Sequence, residues 1–159
     1  MEGVEWCIII ELSIPNEFTI TSQKEYLDET KAELLRFYAF NPDGIYDEVI
    51  DHAYKYARNN PILTPELSML LLNENGEPIS TCMGLLDKKN QTMEVEVVAT
   101  KKEYVNRGFA KIMISECMKR GISRGVKEIS ISAWEEKTRK IYSSFGKSHA
   151  LKKVNYKKS

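Results

Sequence analysis

The sequence predicts a single domain of the α/β or α+β class, and three observations lead to this prediction. The 159 residues include 42% hydrophobic and 29% charged residues, which is typical of one soluble globular domain. Strand-like and helix-like patterns follow each other in the order β-α-α-β-β-β-α-β-α-β. A helical segment joins the strand Thr92–Ala99 to the strand Val126–Ala133, and a crossover of this kind makes two strands parallel. We therefore expect residues 1–159 to form one mixed sheet with helices on its faces.

The first half is predicted to contain one strand and two helices. Val4 to Leu12 is rich in β-branched residues and predicts the first strand. Lys24 to Phe40 carries apolar residues at helical spacing before Asn41-Pro42 ends the pattern: Leu27, Leu34, Leu35 and Tyr38. The next helix has the clearest i, i+3, i+4, i+7 pattern, which predicts one apolar face made of Tyr46, Val49, Ile50, Ala53, Tyr54 and Ala57.

The second half is predicted to be strand-rich. Leu67–Leu72 and Ile79–Leu86 flank the turn residues Asn73-Glu74-Asn75-Gly76, a hairpin pattern. The turn Asp87–Gln91 then leads to the strand Thr92–Ala99. The remaining predicted elements are a helix over Ile112–Gly121 with Ala110, Met113, Ile114 and Cys117 on its buried side, a strand over Val126–Ala133, a helix over Glu136–Phe145 that stops at Gly146, and a final strand over His149–Tyr156.

The connection from Thr92–Ala99 into the following helix has the residue types of a phosphate-binding turn. The first N–H groups of a helix have no partner within the helix and lie at the positive end of its dipole. Gly108 lets a ligand approach the backbone closely, and the small Ala110 keeps the start of the helix uncrowded. Asn106–Ala110 therefore predicts a site for phosphate oxygens, although an ordinary strand-to-helix turn closed by glycine has the same features.

Two motifs in this half resemble the GNAT (GCN5-related N-acetyltransferase) superfamily. Val105-Asn106-Arg107-Gly108-Phe109-Ala110 matches motif A, Gln/Arg-x-x-Gly-x-Gly/Ala, except that Val105 replaces Gln or Arg. Ile141-Tyr142-Ser143-Ser144-Phe145-Gly146 resembles the motif B helix, and the element order agrees with that of the family. The resemblance implies a mixed, mostly antiparallel sheet with helices on both faces. It also implies acetyl-CoA as cosubstrate and no metal.

The resemblance further implies where acetyl-CoA binds, with its pyrophosphate on the backbone N–H groups of Asn106 to Ala110. The whole implied cofactor set is Ala99, Thr100, Val105, Asn106, Arg107, Gly108, Phe109, Ala110 and Lys111. Arg107 and Lys111 either add positive charge near the phosphates or are simply solvated.

The same resemblance implies two catalytic roles. In similar enzymes the tyrosine of the motif B helix, here Tyr142, protonates the departing CoA thiolate. A core tyrosine is the alternative, because Tyr142 shares a helical face with Ile141 and Phe145. An amine acceptor also needs a base, since only the neutral amine attacks a thioester. Position matching places that base at Glu94, with Glu96 in reserve on the same strand face, or else both are solvent-facing carboxylates.

The expected function is transfer of an acetyl group from acetyl-CoA to a small-molecule or peptide amine, directly within a ternary complex. The alternatives are a catalytically inactive GNAT fold that binds CoA or a protein partner, and an unrelated α/β binder of a phosphate ligand. The acidic group Asp43, Asp47, Glu48 and Asp51 either attracts a cationic amine or complements a helix dipole.

Composition and residue spacing predict no nucleic-acid, membrane or metal partner. Lys plus Arg equals Asp plus Glu at 23 each, so no net charge calls for nucleic acid or a membrane surface. Cys7, Cys82 and Cys117 are widely spaced, and His52 and His149 have no metal-like spacing, so no metal site is predicted. We expect the cysteines to be small buried hydrophobic residues. We expect a cytoplasmic monomer or homodimer.

Overall fold

The computed structural model describes residues 12–133 and 136–146. It separates into two compact units, Ile9–Ser132 and Met1–Ile8 with Ala133–Ser159. The first unit contains β1 (Thr19–Ser22), α1 (Glu29–Phe40), α2 (Glu48–Arg58), β2 (Leu63–Leu72), β3 (Pro78–Asp87), β4 (Thr92–Thr100), a 3₁₀ turn (Lys102–Tyr104), α3 (Phe109–Ile122) and β5 (Glu128–Ile131). The described part of the second unit contains α4 (Glu136–Tyr142).

The five strands form one sheet in the order β1-β2-β3-β4-β5. All neighbours are antiparallel except β4 and β5, which are parallel as predicted. Thr81 Oγ1 lies 3.4 Å from Nε of Arg36 on α1, whereas Gly84 faces Cys117 on α3. Because side chains alternate along a strand, residues 81 and 84 lie on opposite faces. Helices therefore cover both faces of the sheet, and the predicted fold class is confirmed.

The core lies between α3 and the sheet. Its fully buried side chains include Leu67, Met69, Leu71, Cys82, Met93, Met113, Ile114 and Cys117. Gly84 and Gly121 make room for Met93, since a Cβ at either glycine would lie 2.6–2.7 Å from that side chain. Cys82 and Cys117 are free and buried, as expected, and a hydrogen bond with Cys117 together with burial raises the pKa of the Cys82 thiol. Both cysteines therefore pack as small buried hydrophobic residues.

Helix α1 begins five residues later than predicted, at Glu29 instead of Lys24. The N-cap is Asp28, whose carboxylate accepts from the N–H of Lys31 at 3.0 Å. Residues 22–26 form tight turns in which the N–H groups of Glu25 and Tyr26 donate to the carbonyl of Ser22. Leu27 consequently lies outside the helix and is 92% exposed, so its predicted place in the helix is wrong.

A buried ion pair joins α1 to the sheet. Arg36 and Glu33 are 3% and 2% exposed, and Nη1 of Arg36 lies 3.1 Å from Oε1 of Glu33. Arg36 also donates to the hydroxyls of Ser68 and Thr81, so its guanidinium is held by three partners. A buried charge needs such partners, because burial without them costs several kcal/mol.

Helix α2 forms where the periodicity predicts it, but the predicted buried face is wrong. None of its 11 residues is buried, and Val49, Ala53 and Ala57 of the predicted face are exposed. The inner side combines the half-buried Ile50 and Tyr54 with Arg58, which pairs with Glu29 and approaches Glu33 at 3.7 Å. These ionic contacts orient the helix, and apolar periodicity alone does not predict them.

The first predicted strand, Val4–Leu12, and the last, His149–Tyr156, lie outside the described residues except for Leu12, which is not in a strand. The structure adds β1, which pairs antiparallel with β2 and was not predicted. Helix α4 ends at Tyr142, and hydrogen-bonded turns continue to Phe145 in place of the predicted helix. In the part of the chain that the structure describes, no helix has the length and apolar character to span a membrane.

Candidate active site

The predicted phosphate-binding turn lies between β4 and α3, after the 3₁₀ turn. Asn106 and Gly108 both adopt left-handed backbone angles, with φ of 62° and 81°. Gly108 is the N-cap of α3, and no side chain caps the helix. Within the described residues, the N–H groups of 108–111 have no hydrogen-bond acceptor, and the first helical bond is donated by Ile112 to the carbonyl of Gly108 at 3.1 Å. The helix start therefore offers unpaired donors at the positive end of its dipole.

The space above Gly108 is open. A Cβ built on this glycine meets no atom of the described residues within 4 Å, so the position above it is open space. Asn106, Arg107 and Gly108 are exposed, whereas Phe109 is buried and fixes the first turn of α3 in the core. A helix start that is anchored in the core and open to solvent is an arrangement that binds anions.

Arg107 does not extend freely into solvent. Its Cζ lies 5.2, 5.6 and 5.0 Å from the ring centroids of Phe18, Tyr104 and Phe109. Phe18 and Phe109 also contact each other, with their ring centroids 4.8 Å apart. The guanidinium therefore lies on an aromatic cluster and keeps a positive charge beside the turn.

The other predicted cofactor residues differ in exposure. Ala99 is buried, Val105 is exposed, and Ala110 and Lys111 are half-buried at the start of α3. Thr100 lies at the end of β4, where its hydroxyl is 2.8 Å from that of Ser80.

Strand β4 carries a bulge next to the predicted base. Thr81 pairs with Ala99 and Met83 with Glu96, so residues 97 and 98 together lie opposite Cys82. Val97 has a φ of 52°, an unusual angle for a β-branched residue. Pairing with β5 runs only from Thr92 to Val95. Among the described residues, the second half of β4 therefore has β3 as its only neighbouring strand.

The two candidate bases lie on one face of β4, immediately before the bulge. Glu94 is exposed and Glu96 is half-buried. Burial, followed by the negative charge of Glu94, raises the pKa of Glu96. A carboxylate with a raised pKa is a better proton acceptor, so the environment of Glu96 suits a general base better than that of Glu94.

Tyr142 is the last residue of α4 and is half-buried. The N–H of Phe145 donates to its carbonyl at 3.0 Å, which closes the helix end. Tyr142 belongs to the second compact unit.

The acidic group before and within α2 has structural roles at two of its positions. The carboxylate of Asp47 caps α2 by accepting from the N–H of Ile50 at 3.0 Å. Asp51 pairs with Lys55 at 2.6 Å and accepts from the hydroxyl of Tyr46 at 3.0 Å. Burial and this hydrogen bond raise the pKa of Tyr46 to about 12. In the described residues, no three acidic, histidine or cysteine side chains come together as a metal site.

A model of the acetyltransferase (GNAT) family matches residues 24–146 of the chain. The chain belongs to this family. Membership in this family supports acyl transfer as the general chemistry of the chain. The matched segment contains both the turn at Gly108 and helix α4.

Solved structures agree with the GNAT fold. An aminoglycoside acetyltransferase from an uncultured soil metagenomic sample, in complex with trehalose, is 16% identical, with a TM-score of 0.65 over 92% of this chain and 99% of that one. Glucosamine-6-phosphate N-acetyltransferase from Arabidopsis thaliana is 12% identical, with a TM-score of 0.60 over 87% and 97%. An acetyltransferase from Trypanosoma brucei is 13% identical, with a TM-score of 0.63 over 89% and 98%. No curated protein matches the chain by sequence.

Three features of this GNAT site were not predicted from the sequence. Phe18 contacts the motif A turn through Arg107, yet it lies far from the motif in sequence and outside every predicted element. The bulge at Val97 has no sequence signal, because valine favours regular strands. Tyr104 directly precedes motif A, but its contact with Arg107 was not predicted.

Proposed function

We propose that this GNAT protein is an acetyl-CoA-dependent N-acetyltransferase that acts on an amine by direct transfer. The observation that carries the proposal is the open helix start at Gly108, with four unpaired N–H groups and no atom within 4 Å of the missing side chain. Two adjacent phosphate groups need convergent donors without side-chain bulk, and this turn supplies them. Arg107 adds positive charge beside them.

The pantetheine arm of the cofactor is proposed to run along the free edge of β4. An extended amide chain can hydrogen-bond to a strand edge as an additional strand does. The bulge at Val97 and the end of the β5 pairing at Val95 leave this edge open in the described residues.

The proposed chemistry uses one side chain as a base and another as an acid. Glu96 accepts a proton from the ammonium form of the acceptor, with Glu94 as the alternative base, so that the neutral amine attacks the thioester carbonyl. A backbone N–H of β4 stabilises the tetrahedral oxyanion. Collapse of the intermediate breaks the C–S bond, and Tyr142 donates its phenolic proton to the departing thiolate. The attacking nitrogen releases its extra proton to solvent to give the neutral amide, and solvent reprotonates the Tyr142 phenolate. The raised pKa of Glu96 supports the first role, and the motif B match supports the second.

The acceptor is proposed to be a small-molecule or peptide amine. One structural neighbour is an aminoglycoside acetyltransferase and another acetylates glucosamine 6-phosphate, so the fold accommodates polar amines in those proteins. The exposed carboxylates of Asp43 and Glu48 favour a cationic acceptor over an anionic one.

Thermal unfolding with three ligands tests the cofactor. Acetyl-CoA and CoA should raise the melting temperature, because a ligand that binds only the native state at 100 times its dissociation constant adds about 2.7 kcal/mol. Pantetheine lacks the pyrophosphate and should have little effect at the same concentration. An unchanged melting temperature in millimolar acetyl-CoA would reject the cofactor assignment.

Release of free thiol from acetyl-CoA, measured over a panel of amines, separates an enzyme from a binding module. Amine-dependent release supports the transferase. Tight CoA binding without turnover on any amine would instead favour the alternative, an inactive GNAT fold with a regulatory or protein-binding role.

A further inference from the structure

Helix α2 presents an apolar stripe to solvent. Val49, Ala53 and Tyr56 follow one another at i, i+4 and i+7 and therefore share one face, which we call the outer stripe. Val49 is 74% exposed and Tyr56 is 83% exposed. An amphipathic helix normally turns all of its apolar residues to the core, whereas in α2 the half-buried Ile50 shares the inner side with Arg58 and the outer stripe stays exposed. The outer stripe is thus an unpartnered apolar helix face.

Opposite charges flank the outer stripe along the same edge. Glu48 lies at the first turn of α2 and Lys55 lies seven residues later, two turns along the helix. Within the described residues Glu48 forms no ion pair. Lys55 pairs with Asp51 at 2.6 Å, but its side chain is 60% exposed and its ammonium has further donors. The edge is therefore acidic at one end and basic at the other.

We propose that the outer stripe binds the same stripe of a second copy of this chain, with the two α2 helices antiparallel. A twofold axis perpendicular to both helices places Val49 against the partner's Tyr56, and Ala53, near the centre, permits close approach. The same axis places Glu48 beside the partner's Lys55, so the ion pair forms twice on one edge. A parallel pairing would leave these charges on opposite edges, so the charge pattern selects the antiparallel arrangement.

The contact is expected to be weak. Eleven residues give a helix about 16 Å long, which is shorter than a standard protein–protein interface requires. We therefore expect a dissociation constant of about 10–100 µM, the range of transient dimers, rather than a permanent dimer.

Analytical ultracentrifugation of the full chain from about 5 to 500 µM tests the dimer, because these concentrations bracket the dissociation constant expected for so small an interface. Glu48→Lys and Lys55→Glu should each weaken dimerisation at least about tenfold, because each places like charges together twice. The double variant should recover to within about threefold of the wild type, because it restores both pairs in reversed order. Val49→Ser should weaken the dimer, whereas Glu74→Lys, the same charge change on the exposed β2–β3 turn, should not.

The double variant separates this interface from a loss of helix. Each single change removes a favourable interaction within α2, at the helix dipole or with Asp51, so the double variant has the least stable helix. Circular dichroism reports that loss directly. A monomeric wild type over the whole concentration range would overturn the proposal. A dimer that the single changes do not weaken, or that the double change does not restore, would overturn it too.

Discussion

Replacing Gly108 by valine should weaken cofactor binding by an amount comparable to its cost in stability. Its φ of 81° is left-handed, a conformation that costs an L-residue roughly 1–2 kcal/mol. For a chain of this length that penalty lowers the melting temperature by about 2–8 °C. The new side chain projects into the open space in which we propose the pyrophosphate binds. We expect acetyl-CoA affinity to fall at least tenfold, which corresponds to about 1.4 kcal/mol.

Gly76 offers a matched control. It has a φ of 73° in the β2–β3 turn, and a Cβ built there also meets no atom within 4 Å. Gly76→Val should therefore destabilise the fold to a similar extent and leave binding unchanged. Isothermal titration calorimetry and urea unfolding on both variants separate the two effects. If Gly108→Val binds acetyl-CoA as tightly as Gly76→Val does, the turn has only a structural role and is not the pyrophosphate site.

Three further changes test other parts of the molecule. Tyr142→Phe should lower turnover by about 10²-fold while the cofactor affinity and unfolding midpoint stay unchanged, and a wild-type rate would remove the hydroxyl from the mechanism. Glu96 must be ionised to act as the base, so kcat/KM should rise with pH through the raised pKa of Glu96. Glu94→Gln removes one cause of that raised pKa, so the acidic limb of the pH–rate profile should move to lower pH. An unmoved limb would exclude the coupling between Glu94 and Glu96 from the mechanism. Glu33→Gln should lower the free energy of unfolding in urea by about 3 kcal/mol, because the buried charge of Arg36 loses its partner. Lys24→Gln, in the exposed pair with Glu66, should hardly change it, and equal effects of the two variants would refute the burial argument.

Strands β2 to β5 of the sheet were predictable because local rules decide them. The turn residues 73–76 and 87–91 fall where hairpins need them, and Gly76 supplies the positive φ. Helix α3 follows from a pattern in which packing and periodicity agree, although it begins at Phe109, three residues before the predicted Ile112. For these elements, sequence neighbours carry enough of the energy to specify the structure.

Long-range contacts decide the features that were missed. The orientation of α2 depends on Arg58 meeting carboxylates of α1, and no periodicity rule contains that pairing. Arg107 was expected either near phosphates or in solvent, yet it lies on rings that include Phe18, from a distant part of the chain. The late start of α1 depends on the carboxylate of Asp28, which a helix pattern beginning at Lys24 passes over.

The uneven pairing of β4 divides the strand into halves of unequal local stability. Thr92 to Val95 is held on both edges, by β3 and β5, while in the described residues the half beyond Val97 is held by β3 alone. Amide hydrogen exchange should therefore be slow in the first half and progressively faster toward Thr100. Binding of an extended cofactor along the open edge would slow exchange there, so the cofactor would complete the sheet as well as supply the acyl group.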